Sequence, residues 1–84
     1  HAHRECTQLL ICTNGTVEVT CDDGKQTSTY ILDEANHGLL IEPGIWAEQK
    51  YIKENTVLTV LCDFLYDEGD YIRNYKDFLE YKCN

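Results

Sequence analysis

Methionine is absent from these 84 residues, proline and tryptophan occur once each, and seven basic side chains face fifteen acidic ones. The resulting formal charge of −8 repels a phosphate backbone instead of releasing its counterions, which argues against a nucleic-acid partner. No apolar run approaches the roughly 20 residues needed to span a bilayer. Thr59 and Asp63 break the longest one, so no membrane partner or span is expected. No signal-peptide pattern opens the chain. Zinc-ligand spacing is missing too: Cys6, Cys12, Cys21, Cys62 and Cys83 contain no CxxC and no Cys/His pairing. Their odd number reads as the reduced thiols of a cytoplasmic protein. Without a secretory signal, the Asn14-Gly15-Thr16 sequon reads as a turn before a strand.

What is present is the composition of a folding chain: 43% hydrophobic, nine aromatic residues and 26% charged. A 9.7 kDa globule buries only about 60% of the surface its unfolded chain exposes. One domain over residues 1–84 is expected, with a thin core completed by a partner subunit. The opening His1-Ala2-His3-Arg4 has no methionine, charge run or flexible lead, which suggests an N-terminally truncated piece of something longer.

Short runs punctuated by turn signals predict six strands, over residues 8–13, 16–21, 26–32, 38–41, 45–52 and 56–64. In the second, Val17, Val19 and Cys21 alternate with Thr16, Glu18 and Thr20, so one face is core and the other wet. Asp22-Asp23-Gly24-Lys25 supplies a tight hairpin, Pro43-Gly44 and Lys53-Glu54-Asn55 supply further turns, and the β-branched sixth run is expected to be mostly buried. After Asp67 the period changes, with Ile72, Tyr75 and Phe78/Leu79 spaced for one apolar face of a short terminal helix. Strands at this spacing predict an all-β antiparallel sandwich or barrel closed by that helix.

His1 and His3 are two apart, so on a strand both imidazoles leave the same face. With Gln8 and Gly15 they form His-x-His-x4-Gln-x6-Gly, which resembles the first cupin motif with glutamine where metal-binding cupins carry glutamate. The second motif falls at Gly38-Leu39-Leu40-Ile41-Glu42-Pro43-Gly44-Ile45-Trp46-Ala47-Glu48. There the metal histidine is replaced near Glu48, and His37 sits in a loop. No metal is therefore expected. Histidine is the side chain whose ordinary charge change falls in the range a general acid/base needs, so two metal-free histidines facing a cavity read as a proton shuttle and not a ligand set.

Beyond the histidine pair, Gln8-Leu9-Leu10-Ile11-Cys12, Asp22-Asp23-Gly24-Lys25, Gly38-Leu39, Ile41-x-Pro43, Trp46-x-Glu48 and Tyr66-Asp67-Glu68-x-Asp70-Tyr71-Ile72-Arg73-x-Tyr75 resemble the WxcM-like sugar 3,4-ketoisomerases over essentially the whole chain. The resemblance implies a cupin jelly roll with its N-terminal strands missing, and a cytoplasmic homodimer without cofactors. It implies action on a dTDP-linked 4-keto-6-deoxyglucose, moving the ketone from C4 to C3 on the way to the 3-amino sugars of surface polysaccharides, lipopolysaccharide among them. It makes His3 the first candidate for the catalytic base and His1 its partner in proton transfer. Arg4, Gln8, Trp46 and Glu48 are the candidates on the substrate side, with core packing the stronger reading for Trp46. Tyr66, Tyr71, Tyr75 and Phe78 are assigned to core or dimer contacts, and Asp67, Glu68, Asp70 and Asp77 to helix capping and a solvated acidic face.

Two features depart from the family pattern: the upstream strands bearing a substrate-holding tyrosine and arginine are missing, and the charge of −8 suits a dianionic sugar nucleotide poorly. Arg4 and Lys50 are the basic groups expected near the mouth. The competing readings are a non-catalytic cupin that binds sugar nucleotides and a metal-dependent cupin epimerase or oxygenase. The sugar 3,5-epimerases rank behind them because they lack the signature from Asp67 to Tyr75.

Overall fold

The computed structural model describes residues 1–83. The β-strands are β1 (Ala2–His3), β2 (Gln8–Asn14), β3 (Val17–Asp22), β4 (Thr27–Leu32), β5 (Gly38–Ile41), β6 (Trp46–Tyr51), β7 (Val57–Cys62) and β8 (Tyr71–Ile72), followed by the helix α1 (Tyr75–Cys83). Six of these strands match the six expected runs to within one or two residues at each end. Two three-stranded antiparallel sheets result, ordered β5-β2-β7 and β4-β3-β6.

The alternation that predicted the strands also builds the core. Leu10 and Cys12 point inward from β2, Val17 and Val19 from β3, and they meet with Leu32, Ile41 and Ala47 in one cluster. Turn chemistry sets the hairpins. Asp22 Oδ1 accepts from the Gly24 amide at 2.7 Å and Asp23 Oδ1 from those of Lys25 and Gln26 at 2.8 Å. Gly24 lies at φ 96°, a conformation that costs glycine little. Gly15, at φ 84°, has a second constraint: a Cβ there would run into Thr56.

Two expectations need correction. The run at β7 is not mostly buried: Val57 and Leu61 are about half exposed, at 50% and 54%. β7 is the edge of its sheet, hydrogen-bonded to β2 alone, so its β-branched composition records strand propensity and not enclosure. Ile72 does not share a helical face with Tyr75 and Phe78. It lies in β8, paired with Ala2 of β1, and the helix starts later. Asn74 caps it, its Oδ1 accepting from the Asp77 amide at 3.2 Å and its carbonyl from the Phe78 amide at 3.0 Å.

From α1, Phe78 is fully buried against Ala2, Trp46 and Ile72 in a second cluster. That cluster anchors β1 and β8, the elements carrying the chemistry described next. All five cysteines are free thiols, and no helix among the described residues is long and apolar enough to cross a membrane.

Candidate active site

β1 is only two residues long, yet it is tied down on several sides. It pairs antiparallel with β8, Ala2 opposite Ile72 and His3 opposite Tyr71. The His1 carbonyl accepts from the Ala47 amide at 2.9 Å, the His3 carbonyl from Gly44 at 2.8 Å, and the Arg4 amide donates to the Asp70 carbonyl at 2.9 Å. Ala2 enters the second core cluster, so strand alternation sends His1 and His3 to the opposite face. Their rings meet edge to face with centroids 5.0 Å apart. Tyr71 shares that face, 4.3 Å from the His3 ring and 5.4 Å from His1.

Behind His3 stands Asp70, the last residue of a 3-10 turn that Asp67 caps by accepting from the Gly69 amide. Asp70 was expected on a solvated acidic face. It is instead 5% exposed, with Oδ2 2.8 Å from His3 Nδ1 and backbone amides donating to its carboxylate from Glu5 at 2.7 Å and Cys6 at 3.3 Å. Burial pushes its carboxyl group upward, but the His3 hydrogen bond and the two amides outweigh that, leaving it below the ordinary carboxylate range. An ionised carboxylate only accepts, so Nδ1 must be the donor. In the neutral imidazole this leaves Nε2 as the unprotonated nitrogen. Nε2 is buried and has no hydrogen-bond partner.

His3 and Asp70 line a cavity of about 240 Å³ shared with Cys6, Cys62, Tyr66 and Tyr71. Burial, then the neighbouring Cys62 thiol and Asp63, raise the Cys6 thiol to about 11, so at neutral pH it is a protonated wall and not a nucleophile. Over the Tyr71 ring lies Arg73, its guanidinium 4.1 Å from the ring centroid and forked onto Glu68 at 2.6 and 3.0 Å. Glu68 also accepts from the Tyr66 hydroxyl at 2.6 Å, and these partners, Arg73 foremost, hold its carboxyl at about 2. Another depression of about 220 Å³, between Tyr30, Leu39 and Ile45, has none of the histidines in its lining.

Of the residues singled out from sequence, His1 and His3 are brought together, while Arg4, Gln8, Trp46 and Glu48 are not among the residues that line the cavity beside His3. Gln8 is buried and its amide donates to Cys62 Sγ at 3.7 Å. Trp46 belongs to the second core cluster, with Nε1 donating to Glu48 at 3.1 Å. Arg4 is exposed over the Tyr81 ring at 5.3 Å, in a depression that also reaches Asp70. Lys50 is exposed on β6. Sequence reasoning missed Asp70, Tyr71 and Arg73. The available signal was that Asp70 directly precedes the apolar pair Tyr71-Ile72, where a residue is drawn inward, and that Arg73 alternates with Tyr71 along the same extended stretch.

Two antiparallel sheets, a His1-Ala2-His3 segment that runs into β1 and a buried carboxylate oriented on His3 define a cupin-type domain with a His–Asp pair. The chain belongs to the WxcM-like family: the family model described as "FdtA: WxcM-like, C-terminal" matches residues 1–83. Among curated proteins it is 40% identical over 81 residues to the TDP-4-oxo-6-deoxy-alpha-D-glucose-3,4-oxoisomerase of Aneurinibacillus thermoaerophilus, covering 96% of this chain and 58% of that one. Among solved structures, a 3,4-ketoisomerase from Helicobacter canadensis superposes with a TM-score of 0.95 at 35% identity, over 99% of this chain and 62% of the other. The sugar 3,4-ketoisomerase QdtA from Thermoanaerobacterium thermosaccharolyticum, solved with TDP, gives 0.93 at 35% identity, over 98% and 60%. The chain thus spans about three-fifths of the length of these relatives, and their fold is the cupin jelly roll expected from the motifs.

Proposed function

We propose that this chain is the catalytic cupin portion of a sugar-nucleotide 3,4-ketoisomerase acting on dTDP-4-keto-6-deoxyglucose. The observation that carries the reading is the setting of His3: Nδ1 is held by Asp70 at 2.8 Å, and Nε2 is buried and has no hydrogen-bond partner. That is the condition of a general base waiting for a proton. Nε2 takes the proton from the hydroxyl-bearing C3, the C3–H electron pair forms the C3–C4 double bond of an enediol, and the C4 carbonyl oxygen gains a proton. The C3 hydroxyl proton then leaves as the C3 carbonyl forms, and a proton adds at C4. Bonds and electrons balance within the substrate, so no redox cofactor is needed. As imidazolium forms on His3, the Asp70 carboxylate stabilises it.

His1, in contact with His3 and Tyr71, is the partner proposed for returning the proton. Arg4 supplies a cation at the rim for the diphosphate, and Trp46 orients Glu48 through its indole N–H. Gln8 supports the cavity wall through Cys62. The relatives named as 3,4-ketoisomerases support the reaction class. The exposed apolar β7 supports the proposed homodimer, and the free thiols support a cytoplasmic enzyme of deoxyamino-sugar and surface-polysaccharide synthesis.

The test is an NMR time course of the full-length protein with thymidine-diphospho-4-keto-6-deoxyglucose in deuterated water. Deuterium entering at C3 or C4 as a 3-keto species appears, both lost in His3→Ala, is the expected result. An intact protein that neither exchanges nor isomerises removes the assignment. Sedimentation showing only monomer at micromolar concentration removes the dimer.

A further inference from the structure

The cavity beside His3 holds two thiols, Cys6 and Cys62, that proton transfer does not use, next to the His3–Asp70 pair that it does. His3, Cys6 and Asp70 each present a ligand atom within 4.8 Å of the others, and all three residues are buried. Cys62 lies against Cys6 on the same cavity and is exposed, which gives a route from solvent. The His3 imidazole, 6% exposed, carries the unpartnered Nε2.

We propose that this cavity binds a thiophilic divalent cation, Zn²⁺ or its chemical equivalents, through His3, Cys6 and Cys62 with Asp70 beside them, and that the bound ion silences the base. A tetrahedral zinc site with Zn–N and Zn–S bonds of about 2.0–2.3 Å needs donors about 3.3–3.8 Å apart. Closing His3, Cys6 and Asp70 from 4.8 Å or less to that spacing takes side-chain shifts of about an ångström, and Cys62 joins them by turning from its place against Cys6. Two thiolates and an imidazole select zinc over magnesium or calcium, which prefer oxygen ligands. As each S–Zn bond forms, the thiol proton passes to solvent, and nothing is oxidised or reduced. The donor set differs from the one the cupin motifs point to: the Gln8 amide is engaged by Cys62 and the Glu48 carboxylate by Trp46. Binding is independent of the ketoisomerase reading, and only its inhibitory consequence rests on that reading.

The full-length protein, kept reduced with a phosphine, is titrated with Co²⁺ and then with competing Zn²⁺. A thiolate-to-cobalt charge-transfer band that Zn²⁺ abolishes, and that Cys6→Ser and Cys62→Ser each lose, supports the site. Absence of that band overturns it, whatever the activity. In parallel, isomerisation is compared with and without Zn²⁺ within each protein. Inhibition reversed by a chelator and weakened at least about tenfold by Cys62→Ser supports the inhibitory role. Equal zinc sensitivity in both proteins overturns that role. A band in a protein without isomerase activity leaves the metal site standing and removes the proposed function instead.

Discussion

Replacing Asp70 with asparagine tests the His–Asp pair at nearly constant volume. The carboxylate accepts from His3 Nδ1, the Glu5 amide and the Cys6 amide. An asparagine keeps one oxygen, which the 2.7 Å contact to Glu5 would claim, and turns its NH₂ toward His3. The NH₂ group can only donate, so Nδ1 must become the acceptor and the ring proton moves to Nε2. The base is then already protonated when substrate arrives. A positioned general base contributes about 10²–10⁴ in rate, so kcat should fall by that factor, equivalent to about 2.7–5.4 kcal/mol at 1.36 kcal/mol per decade.

The stability effect of the same change is smaller. One hydrogen bond to a charged group is lost, from the Cys6 amide, which is worth about 1.5–3 kcal/mol against a typical total of about 5–15 kcal/mol. Asp70→Asn should therefore fold, with a lowered Tm and little change in KM. The assay combines steady-state kinetics of the full-length protein with long-range ¹⁵N–¹H spectra of labelled histidine, which read the tautomer directly. A variant whose His3 proton has moved to Nε2 and whose kcat is unchanged would refute the reasoning, because it would separate the Asp70 bond from the base.

Phe78→Ala should cost about 3–5 kcal/mol in thermal or urea unfolding, as deletion of a fully buried ring facing Ala2, Trp46 and Ile72; a loss under 1 kcal/mol would mean that α1 does not anchor β1. Arg73→Ala should return the Glu68 carboxyl from about 2 toward its ordinary 4.5 in an NMR titration. Because the folded value lies below the unfolded one, the pair's contribution is present above pH 4.5 and fades as pH falls toward 2, so a titration midpoint that stays low in the variant would contradict the Arg73 assignment. Gly15→Ala, forcing a Cβ toward Thr56 at φ 84°, should lower stability by about 1–3 kcal/mol in the same unfolding assay, and a neutral result would show that the turn relaxes freely.

The strands and the two-histidine motif were legible because they are local. Val17 and Val19 alternate with polar residues, Asp23-Gly24 and Pro43-Gly44 punctuate, and strand geometry puts His1 and His3 on one face whatever surrounds them. Burial was not legible to the same degree. In β7 the sequence Val57-Leu58-Thr59-Val60-Leu61-Cys62 reads as enclosed, yet an edge strand and a central strand draw on the same residue types, and only the sheet order separates them.

The partner of His3 is the sharper case. Asp70 stands 67 positions away, and within its own segment it is one of several acidic residues around a helix start, a pattern that composition assigns to capping. What distinguishes it is the company of Tyr71 and Ile72. Pairing those two with His3 and Ala2 leaves Asp70 at the end of a strand that must pass beneath the imidazole, while Asp67, free of that pairing, stays outside as a cap. A carboxylate drawn so far into the fold survives ionised only because two backbone amides and His3 all donate to it. The same three bonds that make the burial tolerable are therefore the ones that settle which nitrogen of His3 is free.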